Sequence, residues 1–401
     1  MLPTELSSTG LLTIDLGAIQ YNWLYLKSKI QQANILAGCA AVIKADAYGL
    51  GVKPVALALM AVGCKEFFVA TLDEGEELRE ILGSEPAIFI LGGIAHGFNK
   101  GESGERWTNL NLTPVLYDIA HVYQWNLFCE QQHRACACVL KVDTGMHRFG
   151  LSIDELDVLL RDIDSDKKKF ALFKPVLLMS HLACADDDKN TFNQEQLSIF
   201  RIAAKKIVNC FPDINLSLSN SSGIFLSDQF HFDVCRPGIA LFGGNPVGSY
   251  ARVKKNPMRQ VVALTLPIMQ IKKIKKGESV GYGNTFTADK EMQLAIVFGG
   301  YADGVSRSLS SRGYAWCNGV SVPIVGRVSM DSIIFDITEV NDKPDSVELF
   351  RSSDCLDALA ASADTISYEL LTNLGGRYQR QYTGEKIDAG GFDLTGGGHD
   401  N

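Results

Sequence analysis

Eight short, β-rich apolar runs alternate with helical patterns along the first two-thirds of this chain, and that rhythm constrains the fold more than anything else. The runs are 39–44, 66–70, 87–91, 112–116, 137–143, 174–181, 214–219 and 231–236. Amphipathic stretches such as 53–62, 73–82, 152–163 and 193–209 lie between them. Eight strands alternating with helices suit an α/β fold of the closed, TIM-type (β/α)8 barrel kind better than an open sheet. At 401 residues the chain exceeds the size at which one core keeps growing, so a second domain is expected. The rhythm does change after Gly243-Gly244-Asn245-Pro246. Successive β-rich runs follow, at Val261–Ile271, Leu294–Phe298, Val320–Val325 and Ile333–Ile337, and only Thr365–Leu374 looks helical. The expected division is a barrel over 12–245, a mostly β domain over 246–385 and a loose Gly- and Asp-rich tail over 386–401. The opening segment 1–17, with its Leu11–Leu16 run, is a candidate extra strand for the second sheet.

Composition narrows the function. Apolar residues at 46% and charged residues at 21% give an ordinary globular balance. A net charge of −8 argues against nucleic-acid and anionic-membrane partners, which need a basic surface. The opening Met-Leu-Pro-Thr-Glu-Leu-Ser lacks the pattern of a signal peptide, and no apolar stretch is long enough to span a bilayer. The ten cysteines sit mostly inside apolar runs and form no Cys-x-x-Cys pair. Buried free thiols in a reducing cytoplasm are therefore expected, and no metal site.

In a barrel of this kind the reacting groups gather at the C-terminal ends of the strands. Lys44 ends the first run. Such a lysine either reaches water along its own stem or serves as a desolvated amine able to form a Schiff base with an aldehyde cofactor. Gly49 and Gly51 allow a tight exit, and Tyr48 offers a hydroxyl to a nearby anion. The fifth run ends in Lys141, Asp143 and Arg148, and the sixth in Ser180-His181. The turns at Ser221-Ser222-Gly223 and Gly238-Ile239 follow the seventh and eighth runs, where barrels commonly bind phosphate. Each alone reads equally as a plain turn; together with a strand-end lysine they suggest a small phosphorylated cofactor. Arg236, beside them, can donate to a ring nitrogen or pair with an acid. His181 can stack on an aromatic ring or be a satisfied core histidine.

The segment Ala41-Val42-Ile43-Lys44-Ala45-Asp46-Ala47-Tyr48-Gly49 closely resembles the pyridoxal-phosphate attachment signature of alanine racemases. The resemblance continues through Lys141–Arg148, Asn220-Ser221, Arg236–Ile239, Gly281–Phe286, Gly300–Gly304, Gly326–Asp331 and Ser367-Tyr368-Glu369, over about residues 11–382. It implies that Lys44 anchors pyridoxal 5′-phosphate as an aldimine and serves as one base. Tyr282, reaching in from the other subunit of a homodimer, would be the opposite base. Arg148 would steer Tyr282 and the substrate carboxylate, supported by Lys141, the position carbamylated in that family. Arg236 would meet the pyridine nitrogen and His181 the ring. Tyr48, Ser221, Gly238, Ile239 and Tyr368 would bind the phosphate, while the Met330 N–H would bind the substrate carboxylate. Tyr301, Asp186, Arg307, Arg327 and Ile366 would line the access channel.

Two positions depart from the family pattern. Ser217 stands where many relatives have a histidine bonded to the pyridine-side arginine, and Val305-Ser306 replaces a Tyr-Pro-like pair in the channel motif. The implied activity is two-base interconversion of L-alanine and D-alanine, either supplying D-alanine for peptidoglycan or degrading it. A serine or broad-spectrum racemase, or a decarboxylase of the same fold, is the alternative. A decarboxylase would need an acid where Arg236 stands.

Overall fold

The computed structural model describes residues 9–95, 98, 103–247, 255–351 and 353–384. Seven strands lie parallel in the order Ala41–Val42, Glu66–Val69, Ala87–Ile90, Leu112–Leu116, Cys136–Lys141, Phe173–Met179 and Asn215–Ser217. The strand Val234–Cys235 closes the ring. Its neighbourhood bonds the seventh strand through Arg236 N–H to Ser219 O (2.9 Å) and the first through Ala40 N–H to Cys235 O (2.9 Å). It also pairs in parallel with Gly38–Cys39. Inside the ring Ala40, Phe68, Phe89, Val115, Val139, Leu177, Met179 and Val234 pack on one another, so the interior is filled with side chains rather than open.

The first run, expected as one strand over 39–44, is split. Gly38–Cys39 pairs with the last strand and Ala41–Val42 with the second, because this segment serves two neighbours at the seam. Lys44 therefore begins a turn instead of closing a strand. The helices Val52–Ala61, Leu72–Leu82, Ile153–Ser165 and Phe192–Cys210 match the amphipathic stretches. Two of them start at capping boxes, Thr71 with Glu74 and Ser152 with Glu155, where each side chain satisfies the other's backbone N–H.

The remaining strands form a separate, mostly antiparallel sheet centred on the long strand Val262–Ile274. That strand bulges between Ile268 and Gln270 and so reaches both Ser346–Leu349 and Met292–Phe298. Leu11–Asp15 pairs antiparallel to it and parallel to Gln379–Thr383, placing the start of the described chain in this second sheet. Besides the expected helical stretch, here Ser367–Thr372, a second helix runs over Ser353–Ser362 and buries Leu356, Leu359 and Ala360. The proposed tail 386–401 lies outside the described residues. Among those residues no helix is long and apolar enough to cross a membrane.

Candidate active site

Lys44 opens a turn in which Ala45, Asp46, Ala47 and Tyr48 all have positive φ, between 52° and 59°. This is a full left-handed turn built without glycine, and each such residue costs roughly 1–2 kcal/mol. Several bonds hold it. Ala47 N–H donates to Ile43 O (3.0 Å), Val52 N–H to Asp46 Oδ1 (2.6 Å) and Ala45 N–H to Glu74 Oε1 (2.8 Å). At the exit a Cβ on Gly49 would stand 2.7 Å from Leu371 O, so the bare glycine lets the Ser367–Thr372 helix close over the turn. Between them lies a cavity of about 450 Å³, lined by Lys44, Ala45, Tyr48, Thr365, Ile366, Tyr368, Glu369 and Thr372.

The rim is rich in cations. Burial, then Arg148, holds the Lys44 amine below its ordinary basicity. Burial, Arg148 and Arg236 push Lys141 down to about 8, and Lys141 lies 5.5 Å over the Phe149 ring. His181 is pushed down to about 3, by burial first and then by Arg236, Lys141, Arg148 and Lys44, which leaves a neutral imidazole near pH 7. Arg236 is buried and pushed down to about 10 by that burial; its guanidinium donates to Ser217 Oγ, Ser180 O and Leu218 O. None of these three partners is a carboxylate. A rim of this kind attracts an anionic ligand.

At the far end Ser221 Oγ accepts N–H bonds from Gly238 (2.9 Å) and Ala240 (3.3 Å), ahead of the 3₁₀ turn Ile239–Phe242. The Tyr48 ring packs on Phe242 at 4.7 Å and on Tyr368 at 5.8 Å. A Cβ on Gly238 would meet the Tyr48 hydroxyl at 2.3 Å, so only glycine leaves that hydroxyl its place. Burial pushes the Tyr48 phenol well above its ordinary value, and burial with Asp186 and Asp357 pushes Tyr368 up to about 12. Both hydroxyls therefore keep their protons and can donate.

The second-sheet residues fall into two groups. Ile366 and Tyr368 share the Lys44 cavity. Tyr282, Tyr301 and Met330 do not line it and are exposed, Tyr282 by 72%. These three sit close to one another along the chain's turns. Gly283, beside Tyr282, faces the Arg327 guanidinium; Tyr301 N–H bonds Ser329 O (3.1 Å) and Ala302 N–H bonds Met330 O (3.1 Å). Ser310 Oγ accepts from Val328 N–H (3.0 Å), tying in the Arg307–Leu309 turn. Arg377 fixes the base of this group by pairing with Asp303 and Asp331. Arg148 and Asp186 are exposed on the barrel's loops.

Two family descriptions match nearly the whole chain: "Alanine racemase, N-terminal domain" over residues 14–246 and "Alanine racemase, C-terminal domain" over 261–382. The chain belongs to the alanine racemase family. An alanine racemase of Rhodospirillum rubrum is 43% identical over 387 residues, covering 96% of this chain and 98% of that protein. A catabolic alanine racemase of Agrobacterium fabrum is 40% identical over 379 residues, covering 94% and 92%. The crystal structure of alanine racemase from Bartonella henselae, with covalently bound pyridoxal phosphate, superposes with a TM-score of 0.84 at 35% identity, covering 94% of this chain and 99% of that one.

Against the pattern of alanine racemases, the Ser217 departure has a local resolution. Its hydroxyl accepts from Arg236 and donates to Val234 O, so a short side chain holds the guanidinium directly. Ser217→Ala should leave a buried, charged donor without its acceptor. A loss of about 1–3 kcal/mol of stability is expected, read as a lower midpoint in urea with an unchanged slope. An unmoved midpoint would show that Arg236 does not depend on Ser217. Glu74 is a site residue that the sequence reading did not single out. Its signal was the Thr-x-x-Glu capping box, which points to a helix start and not to Lys44.

Proposed function

We propose that this protein interconverts L-alanine and D-alanine, using pyridoxal 5′-phosphate held at the Lys44 rim. The observation that carries this reading is the Lys44 amine, partly desolvated on its strained turn and facing a cavity that also takes the side chains of Tyr48, Thr365, Tyr368 and Thr372. The residues present fit that cofactor. An aldehyde needs a neutral amine, a phosphate dianion needs hydroxyl and N–H donors, and a buried arginine without a carboxylate can face a ring nitrogen that carries no proton. Lys44, then Tyr48, Ser221, Gly238, Ile239 and Tyr368, then Arg236 and His181, supply these in turn. When bound, pyridoxal phosphate acidifies the Cα–H of an attached amino acid by accepting its electron pair.

The chain's own groups do the rest. Racemisation removes a proton from one face of Cα and delivers one to the other, which a single base reaches poorly. Lys44 Nζ serves one face, its low basicity favouring the neutral, proton-accepting form. The phenolic oxygen of Tyr282 serves the opposite face, and the 72% exposure of Tyr282 fits a residue offered to a second copy of the chain. A homodimer with shared sites follows from that reading. Arg148 orients the substrate carboxylate with the Met330 N–H, and Tyr301, Asp186, Arg307, Arg327 and Ile366 border the approach. The ten cysteines, most of them buried, suit a reducing cytoplasm. The direct test is a coupled D-amino-acid oxidase assay on L-alanine; no D-alanine formed by the cofactor-loaded protein would refute the activity.

Lys141 is read as carbamylated. The ammonium first loses one proton; the neutral Nζ then adds to carbon dioxide and gives up a second, so a cation becomes an anion beside Arg148, Arg236 and Lys44. With Lys141 pushed down to about 8, the reactive neutral form grows as pH rises through that value. Protein incubated with ¹³C-bicarbonate should show a carbamate carbonyl signal that strengthens from pH 7 toward 9 and is missing in Lys141→Ala. A spectrum identical in the two proteins would remove the modification from this account.

A further inference from the structure

We infer that Glu74 is a positioning residue for Lys44, its carboxylate fixing the peptide between Lys44 and Ala45 so that the amine is presented to the cavity. This rests on Lys44 being the cofactor's anchor. In an ordinary capping box the N3 glutamate needs only to bond the backbone at the helix start. Here Glu74 Oε2 does that, accepting from Ala70 N–H (2.6 Å) and Thr71 N–H (3.3 Å), while Thr71 Oγ1 accepts from Glu74 N–H (3.2 Å). The other oxygen, Oε1, reaches across to the end of the neighbouring strand and accepts from Ala45 N–H at 2.8 Å. That bond serves no helix.

Ala45 is the first of the four left-handed residues. The bonds from Ala47 N–H and to Asp46 Oδ1 secure the turn further along. The Glu74 bond acts on the Lys44–Ala45 peptide itself, and so on the backbone angle that aims the Lys44 side chain. The same carboxylate also acts on the Lys44 charge, opposing Arg148. One half-buried side chain thus ties two adjacent strand ends and a helix start to the catalytic turn.

The test is the rate at which the apo-protein captures pyridoxal phosphate covalently, followed by timed borohydride trapping and intact mass. Glu74→Ala should slow capture by roughly 10- to 100-fold, the scale on which small misplacements cost rate. Thr71→Ala, which weakens the same helix start but leaves the Ala45 bond, should stay within about twofold of the parent. Glu74→Gln keeps only one acceptor oxygen, which cannot serve Ala45 N–H and the Ala70 and Thr71 N–H groups together, and should recover only part of the rate. Should Glu74→Ala not fold, Glu74→Asp takes its place, being charged but one methylene short. Capture at the parent rate in Glu74→Ala, or equal slowing in Thr71→Ala, overturns the inference. If the parent itself takes up no cofactor at Lys44, all the chains behave alike and the underlying reading falls instead.

Discussion

Lys44→Ala abolishes racemisation in both directions and leaves pyridoxal phosphate without a covalent bond to the chain. The expectation follows from two losses at one atom. The amine that faces the cavity disappears, and with it the base on one side of Cα; a positioned general base alone contributes about 10²–10⁴-fold. The fold should survive. Lys44 Nζ makes no ion pair among the described residues, and its removal relieves repulsion with Arg148. Two measurements check this: D-alanine formation in the coupled assay, and the mass of borohydride-reduced protein. A Lys44→Ala chain that still holds one covalent equivalent of cofactor would show that another lysine does the work. The candidate to look at first would then be Lys141, whose amine is also held below its ordinary basicity by burial.

Tyr282→Phe should lower racemisation in both directions by about 10²–10⁴-fold while leaving the fold and the covalent cofactor intact, because it removes only a base. Its side chain is 72% exposed, and its hydroxyl makes no hydrogen bond among the described residues. The two halves of the reaction should separate. In deuterated water D-alanine should still exchange its Cα hydrogen through Lys44, keeping its configuration, while L-alanine should not exchange. Equal exchange from both enantiomers would mean one base serves both faces. The same variant tests the shared site. Mixed with Lys44→Ala under conditions of proven subunit exchange, it should regain activity, since hybrid dimers contain one site with both groups. Activity that stays absent after confirmed exchange would place Tyr282 elsewhere.

Much of this was legible in the residues. The alternation of apolar runs and helical patterns is a local signal repeated eight times, and it located the barrel's strands to within a residue or two except the last, expected over 231–236 and found as Val234–Cys235. The capping boxes at Thr71 and Ser152 are also written within four residues, but the helices are read from amphipathic spacing alone. The helix Ser353–Ser362 went unread beside them. It is short, and what holds it is packing of Leu356 and Leu359 against the second domain's core, which a local pattern does not display.

The sequence by itself determined the fold class, the family and the residue types at the rim, because each is encoded in periodicity or in contiguous motifs. Only the tertiary structure decided how those types are held. Nothing in Ala-Asp-Ala-Tyr announces a left-handed turn, since alanine disfavours positive φ; the conformation depends on bonds such as the one from Glu74, 29 residues away in the chain. Ser217 reads as the loss of a histidine until Arg236, 19 residues on, is seen bonded to its hydroxyl. The low basicity of Lys141 and His181 likewise comes first from burial and then from Arg148 and Arg236 brought to the same rim. These properties belong to distances between segments remote in sequence, and those distances exist only once the barrel has closed.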